Sequence, residues 1–245
     1  MRTLTLTALP DIPEIERGMA LAPILMGAVN CAGLRLEEGD VLVIAQKIIS
    51  KAEGRRVLLS TVEPSQRAIE LAASVGKEPR MVELMLRESH EVLRATRGVL
   101  IVEHRLGFVM ASAGIDQSNV PGGGECVLLL PEDPDASARR LSDELRAIAA
   151  VEVGIVINDS FGRAWRNGVV GIAIGVAGVP ALIDMRGKPD RQARALEVTQ
   201  VAAADELAAA ASLVMGQAAE GTPAVLARGF PYARRESRVQ ELIRP

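Results

Sequence analysis

The chain has 245 residues, 49% of them hydrophobic, which is enough to bury the core of one large domain or of two small ones. Its formal net charge of -3 and its aromatic content of 2% disfavour nucleic-acid binding, which needs a basic surface and rings that stack on bases. The two cysteines form no C-x-x-C pair, so a reducing cytoplasm is expected. With only two histidines, a histidine-rich zinc site is not expected.

Strands and helices are predicted to interleave along the chain. In chain order the predicted elements are a strand at 4–6, a turn at 9–12, a core helix at 19–34, a strand at 41–45, a helix at 46–51, helical residues 64–97, paired strands at 99–102 and 108–111, a strand at 126–130, an amphipathic helix capped by Asp135, a buried strand that closes at 156–157, and an alanine-rich helix at 199–215 that stops at Gly216. This order lacks the strict alternation of a doubly wound sheet, so we predict an α+β fold with a mixed sheet. The longest apolar stretches are shorter than, or interrupted within, the ~20 residues of a membrane span, and no membrane segment is expected.

The most informative stretch is residues 155–178, IVINDSFGRAWRNGVVGIAIGVAG. We predict that its buried strand ends in a loop presenting Asn158, Asp159 and Ser160, because such loops deliver polar side chains to sites; a capping or turn role for Asp159 is the alternative. Arg163 and Arg166 suit phosphate or carboxylate, since guanidinium groups bind pairs of oxygen atoms. The glycines of this stretch can also serve only to let a strand pack closely against another backbone.

A second acidic loop is predicted after the strand at 108–111, and it contains Asp116 and Asn119. If the two loops converge, Asp116 and Asp159 can share a hard divalent cation, which prefers oxygen ligands. The alternative is that the loops lie apart.

Lys47 and Lys51 lie four residues apart in the predicted helix after the strand at 41–45. They form either an anion pocket at the strand's exit or a solvated lysine pair. The chain contains neither the G-x-G-x-x-G turn of a Rossmann domain nor the G-x-x-x-x-G-K-[ST] sequence of a P-loop. A nucleotide, if one binds, therefore binds outside both motifs.

Several long, ordered stretches resemble one family. They are GDVLVIAQKIISKAEGR (39–55), SAGIDQSNV (112–120), LLLPEDPDASA (128–138), INDSFGRAWRNGVVGIAIGVAG (157–178), ADELAAAASLVMG (204–216) and ARG (227–229). On these stretches the chain resembles the coenzyme F420:L-glutamate ligases. The resemblance implies the family's own fold, neither Rossmann nor P-loop, in a single γ-glutamyl ligase domain over residues 1–245 without a nitroreductase-like domain.

The resemblance implies a GTP-dependent ligase that adds L-glutamate to coenzyme F420-0, usually followed by further γ-linked glutamates, through an acyl phosphate. It also implies a homodimer, a divalent cation, either magnesium or manganese, and potassium as a further ion. The metal ligands that it implies are Asp116, Asp159, Ser160 and Gln217. The GTP-site residues that it implies are Leu9, Pro10, Asp11, Ile12, Gln46, Lys47, Lys51, Asn119, Met215, Gly216, Gln217, Ala218, Ala219, Glu220, Gly221 and Thr222.

Candidates for direct participation in the reaction are Lys47, Lys51, Arg163 and Arg166, chosen for their positive charge; no general base is named. Gln217 stands where many relatives have glutamate, and residues 190–194 depart from the D-L-[FY]-G-R of many relatives. Two alternatives therefore stay open. One is a related amide ligase that acts on another acid, and the other is a catalytically silent GTP-binding module.

Overall fold

The computed structural model describes residues 3–120, 122 and 124–244. Within them the strands are β1 (Thr5–Ala8), β2 (Val41–Ala45), β3 (Arg56–Leu58), β4 (Ser89–Thr96), β5 (Val99–His104), β6 (Val109–Ala111), β7 (Cys126–Leu128), β8 (Gly154–Arg163), β9 (Arg166–Ala177), β10 (Ile183–Asp184), β11 (Gln200–Val201) and β12 (Ala224–Arg228). The α-helices are α1 (Leu21–Cys31), α2 (Gln46–Ala52), α3 (Gln66–Val75), α4 (Pro79–Arg87), α5 (Pro134–Ala149) and α6 (Ala203–Met215). None of these helices is long and apolar enough to cross a bilayer.

A five-stranded sheet in the order β1-β12-β2-β8-β9 forms the centre of the molecule. Only β2 and β8 run parallel, and the other neighbours are antiparallel. Leu42 and Ile44 of β2 face the core shared with α1 and α5, whereas Val41 and Val43 face the core shared with α6. Strand β2 is apolar throughout because helices cover both faces of the sheet. This mixed sheet confirms the predicted α+β class.

The β8–β9 hairpin carries a β-bulge at the point where the predicted acidic loop lies. Ile157 pairs with Gly175 and Asn158 pairs with Ala173, so Ile174 is the extra residue on β9. The prediction that β8 ends before Asp159 is wrong, because pairing with β9 continues to Arg163. The bulge increases the local twist and redirects the side chains beside it.

Two helices pack closely against edge strand β9. A Cβ on Gly171 would lie 2.5 Å from the carbonyl oxygen of Ala208 in α6, and a Cβ on Gly175 would lie 2.6 Å from backbone atoms of Pro134 in α5. These contacts confirm that glycines in this stretch permit close approach. Carboxylates from the first turns of the same helices bind backbone N–H groups of β9. The N–H of Val176 donates to Asp135 over 2.8 Å, and that of Ala173 donates to Asp205 over 3.0 Å.

Residues 56–128 form a second lobe, with the sheet β4-β5-β6, the pair β3-β7, and helices α3 and α4 around a separate apolar core. The predicted helix over 64–97 is wrong in two respects. Gly76, with φ +69°, ends α3, and Pro79 begins α4. The residues of β4 pair with β5 instead of continuing the helix, which leaves His90 exposed on a strand.

Three further predictions concern helix and strand ends. Strands β5 and β6 pair as predicted. The cap of α5 is Asp133, whose carboxylate accepts the N–H of Ala136 over 2.9 Å, so the assignment of the cap to Asp135 is wrong because that side chain is buried against β9. Helix α6 begins at Ala203 rather than at 199, since the preceding residues pair as β11 with β10.

Candidate active site

A cleft of about 580 Å³ opens where the parallel strands β2 and β8 leave the central core, between the sheet and the second lobe. Five chain segments line it. They are residues 12–15, 45–51, 116–119, 158–160 and 215–223. Asp116 comes from the second lobe, where its backbone bridges to Leu128, and Asp159 comes from β8. The cleft therefore brings the two acidic segments together.

Asp116 is held from the side of α2. Gln46 is buried, and its Nε2 donates to Oδ2 of Asp116 over 2.7 Å while its Oε1 accepts the hydroxyl of Ser50 over 2.8 Å. The ammonium group of Lys47 lies 3.3 Å from Oδ1 of Asp116 and donates to Oγ of Ser118 over 2.9 Å. Burial raises the pKa of Asp116, and the contacts with Lys47 and Gln46 offset part of that increase.

Asp159 has the most displaced acidity in the cleft. Burial raises its pKa and the neighbouring charge of Asp116 raises it further, to about 7, although the N–H of Ser160 and the charge of Lys47 act in the opposite direction. The two carboxylates thus repel each other across a shared space. Such a pair of carboxylates favours the binding of a cation between them.

The segment after α6 closes the opposite side of the cleft. Gln217 accepts the hydroxyl of Ser160 at Oε1 over 2.9 Å and donates from Nε2 to Oγ of Ser212 over 2.8 Å. Nδ2 of Asn119 donates to the carbonyl of Ala218 over 3.2 Å, which links this segment to the second lobe. Gly216, with φ +75°, lies against the folded-back carboxylate of Glu220, and the left-handed backbone there favours glycine.

The second lysine of the cleft is Lys51, which is buried in α2 and pairs with Glu14 at 2.7 Å. Arg56 binds the same carboxylate oxygen over 3.1 Å. The side chain of Glu14 is more than half exposed, at 56%, so this pair is reached from solvent. Lys47 and Lys51 therefore lie in one cleft but bind different carboxylates in the described structure.

Comparison with known proteins places the chain in a family. The family model described as F420-0:Gamma-glutamyl ligase matches residues 11–229. The chain is 44% identical over 244 residues to the coenzyme F420:L-glutamate ligase of Methanothermobacter thermautotrophicus, covering 99% of this chain and 96% of that protein. It is 48% identical over 228 residues to the coenzyme F420:L-glutamate ligase of Methanopyrus kandleri, covering 93% of this chain and 88% of that protein. The chain belongs to the F420-0:gamma-glutamyl ligase family.

In this member of the F420-0:gamma-glutamyl ligase family, the side chains in the cleft offer oxygen atoms as possible ligands of a divalent cation. No cluster of three or more His, Cys, Asp or Glu side chains suited to a metal occurs in the residues that the structure describes. Asp116 and Asp159 instead share the cleft with the side-chain oxygens of Ser160 and Gln217. These donors are all oxygen, and the repulsion between the two carboxylates is relieved by positive charge. The set fits a hard cation such as Mg²⁺ or Mn²⁺.

The structure places most of the expected site residues in the cleft. The expected GTP-site and metal residues that line it are Ile12, Gln46, Lys47, Lys51, Asp116, Asn119, Asp159, Ser160, Met215, Gly216, Gln217, Ala218, Ala219, Glu220, Gly221 and Thr222. Leu9, Pro10 and Asp11 were also expected in the site, but they do not line the described part of the cleft. Leu9 is fully buried in the core. Arg163 and Arg166 are exposed near the tip of the β8–β9 hairpin and do not line the described part of the cleft.

One charged lining residue, Glu14, was not expected from the sequence. It lies just after the turn predicted at 9–12, and its contacts with Lys51 and Arg56 identify it. Asn158 was expected, since it begins the polar run that follows the apolar residues of β8. Its side chain is buried, and within the described residues its Oδ1 has no hydrogen-bond partner.

Proposed function

We propose that this chain is a ligase that joins L-glutamate to coenzyme F420-0 and then adds further γ-linked glutamates. Relatives that match nearly the whole chain carry the name coenzyme F420:L-glutamate ligase. The observation that carries the proposal is the pairing of Asp116 and Asp159 in one cleft, with Lys47 on Asp116 and Lys51 nearby. We further propose GTP as the energy source, a homodimer, potassium as an additional ion, and a cytoplasmic location.

The proposed chemistry has two steps. A carboxylate of F420-0 attacks the γ-phosphorus of GTP, the bond to the β-phosphate oxygen breaks, and GDP leaves. The amino group of L-glutamate then attacks the acyl carbon, loses a proton to solvent or buffer, and expels phosphate as the amide forms. Both steps build negative charge on phosphate oxygens, so fixed positive charge near them lowers the barrier.

The cleft residues suit this chemistry. Asp116, Asp159, Ser160 and Gln217 would hold the divalent cation, which when bound neutralises phosphate charge. Lys47 is within reach of the same space, and its bond to Asp116 orients its ammonium group. Lys51 is buried and held by an exposed glutamate, so an incoming phosphate can replace that glutamate as its partner. The cleft volume of about 580 Å³ is in the range of pockets for nucleotide-sized ligands.

The test is mass spectrometry of F420-0 after incubation with the protein, GTP, L-glutamate and Mg²⁺ or Mn²⁺, with GDP release measured in parallel. We expect mass increases by glutamyl residues that require GTP and metal. Asp159→Asn should abolish them, whereas Asp143→Asn, in an exposed ion pair of α5, should not. GTP bound without hydrolysis would contradict the proposal and indicate a silent binding module. Hydrolysis stimulated only by another acid would indicate a ligase with a different substrate.

A further inference from the structure

Ser212 lies in α6, behind the cleft, and its side chain binds the cleft residue Gln217. It is 7% exposed and is not among the described lining residues. Its Oγ accepts a hydrogen bond from Nε2 of Gln217. The other end of that amide, Oε1, accepts a hydrogen bond from the hydroxyl of Ser160. Ser212 therefore contacts the end of Gln217 that faces away from the acidic pair.

Ser212 packs closely against strand β9, because a Cβ on Gly171 would lie 2.8 Å from Cβ of Ser212 and 2.5 Å from the carbonyl oxygen of Ala208, one turn earlier in α6. In the described structure the hydroxyl oxygen of Ser212 accepts a hydrogen bond from the NH₂ group of Gln217, and the hydroxyl of Ser160 donates one to the carbonyl oxygen of Gln217. The two serines thus hold opposite ends of the same amide, one as acceptor and one as donor.

We propose that Ser212 is a positioning residue that keeps the carbonyl oxygen of Gln217, rather than its NH₂ group, directed towards Ser160 and the acidic pair. A neutral side chain thereby serves as an oxygen ligand, because an amide in the opposite orientation would direct its positive end at the cation. Ser160 donates its proton to Gln217, so its own lone pairs are free to face the same space. The inference rests on the proposed function, which places a divalent cation there.

A double-mutant cycle distinguishes an effect of Ser212 on the amide orientation of Gln217 from an effect on packing alone. Mn²⁺ binding is measured by electron paramagnetic resonance for the wild type, Ser212→Ala, Gln217→Glu and the double variant, without nucleotide. We expect Ser212→Ala to weaken Mn²⁺ binding about five-fold when residue 217 is glutamine, as for loss of one hydrogen bond. In the Gln217→Glu background we expect almost no further change, because a carboxylate has two equivalent oxygens and needs no orienting partner. Equal weakening in both backgrounds, or no weakening in either, would overturn the inference.

Ser142→Ala is the matched control. Ser142 is also 7% exposed in a helix, and its hydroxyl donates to the carbonyl of Val153 over 2.9 Å. We expect this variant to lose stability while keeping wild-type Mn²⁺ affinity; a comparable loss of affinity would overturn the inference, as would a wild type that binds no Mn²⁺. The glutamate-ligation assay on the wild type decides the proposed function separately. A failed ligation with the expected Mn²⁺ pattern contradicts only the function, and successful ligation with a flat Mn²⁺ pattern contradicts only the role of Ser212.

Discussion

Gln46 connects a buried hydroxyl to an acidic side chain of the cleft, and its amide can adopt only one orientation. Asp116 as a carboxylate only accepts hydrogen bonds, so the amide nitrogen of Gln46 must face it and Ser50 must donate to the amide oxygen. We expect Gln46→Glu to place a second negative charge against Asp116 and raise the pKa of Asp116 further. The expected loss in kcat/KM for glutamate ligation is about 100-fold or more, from ~3 kcal/mol of lost positioning and repulsion.

Gln66→Glu provides the control for this substitution. Nε2 of Gln66 also donates to a carboxylate, that of Glu70, over 2.8 Å, but on an exposed helix surface. We expect this variant to retain wild-type kcat/KM, because solvent screens the added charge. Retention of activity by Gln46→Glu would show that Asp116 needs no fixed partner.

The acidity of Asp159 predicts how stability depends on pH without metal. Its pKa is about 7 in the folded protein, against the ordinary aspartate value of 3.8, so the folded protein holds this proton more tightly than the unfolded chain. Ionisation of Asp159 therefore lowers stability as pH rises from about 4 to about 7. In EDTA, Asp159→Asn should be more stable than the wild type at pH 8 by a few kcal/mol, with ~4 kcal/mol as the ceiling, and equal to it at pH 4.

Urea unfolding at the two pH values measures this effect. Addition of Mn²⁺ at pH 8 should stabilise the wild type more than Asp159→Asn, because the variant lacks one of the proposed anionic ligands. Asp143→Asn, at a side chain that is 67% exposed, should show no comparable pH-dependent gain. A metal-free Asp159→Asn that is less stable than the wild type at pH 8 would contradict the assigned acidity.

At the scale of elements, the packing of β9 between two helices depends on Gly175. A Cβ there would lie 2.6 Å from the backbone carbonyl of Pro134, and backbone atoms cannot move aside as a flexible side chain can. We expect Gly175→Ala to lower the free energy of unfolding by about 3 kcal/mol. Gly162→Ala is the control on the same hairpin, since nothing lies within 4 Å of its Cβ position, and it should change stability little. Equal effects in denaturant unfolding would contradict the close approach.

Sequence patterns predicted the elements with strong local signals and missed those decided by pairing. The apolar run of β2 and the apolar stripe of α5 were predicted because apolar residue types mark the faces that are buried. The helical reading of 64–97 failed at β4, where pairing with β5 outweighs helix propensity. Asp159 was expected in a loop because the extension of β8 depends on β9 as its partner.

The residues of the candidate site were partly predictable for the same reason. Asp116 and Asp159 each follow an apolar run of residues, which is a local signal, and the family resemblance supplied most other cleft residues. The role of Glu14 depends on its contact with Lys51, at a sequence separation of 37. The roles of Ser50 and Ser212 depend on the glutamines that they bind, because Gln46 and Gln217 contact Asp116 and Ser160 at separations of 70 and 57. Such contacts leave no periodic pattern in a single sequence, so they could not be predicted from it.

At the scale of the whole molecule, a partly buried ion cluster around Glu88 joins the second lobe to the rest. Burial raises the pKa of Glu88, but His104, Arg55 and Arg105 together lower it to about 2. Arg55 also donates to the carbonyl of Leu130, where the chain leaves the lobe. A lowered pKa means that Glu88 stabilises the fold above about pH 4.5 and loses that effect as pH falls towards 2. We expect Glu88→Gln to lower the free energy of unfolding by about 3 kcal/mol at pH 7 and by much less at pH 3.

Asp184→Asn is the comparison for this variant. Hydrogen bonds from Arg186 also lower the pKa of Asp184 to about 2, but this pair is exposed on β10. We expect no more than a small change in unfolding, because exposed ion pairs add little to stability. Similar losses for Glu88→Gln and Asp184→Asn in urea unfolding at pH 7 would contradict the structural role of the ion cluster around Glu88.

The position of β12 in the central sheet has a consequence for how the protein is made. Strand β1 reaches the sheet only through β12, which lies between β1 and β2 although more than 200 residues separate it from β1 in sequence. On the ribosome, β1 therefore has no strand to pair with until residues 224–228 emerge, and residues 215–223, which line the cleft, emerge only just before them. Such late, long-range pairing slows folding. The cleft is thus completed only after residues 215–228 have been made, and a nascent chain cannot bind its ligands there before then.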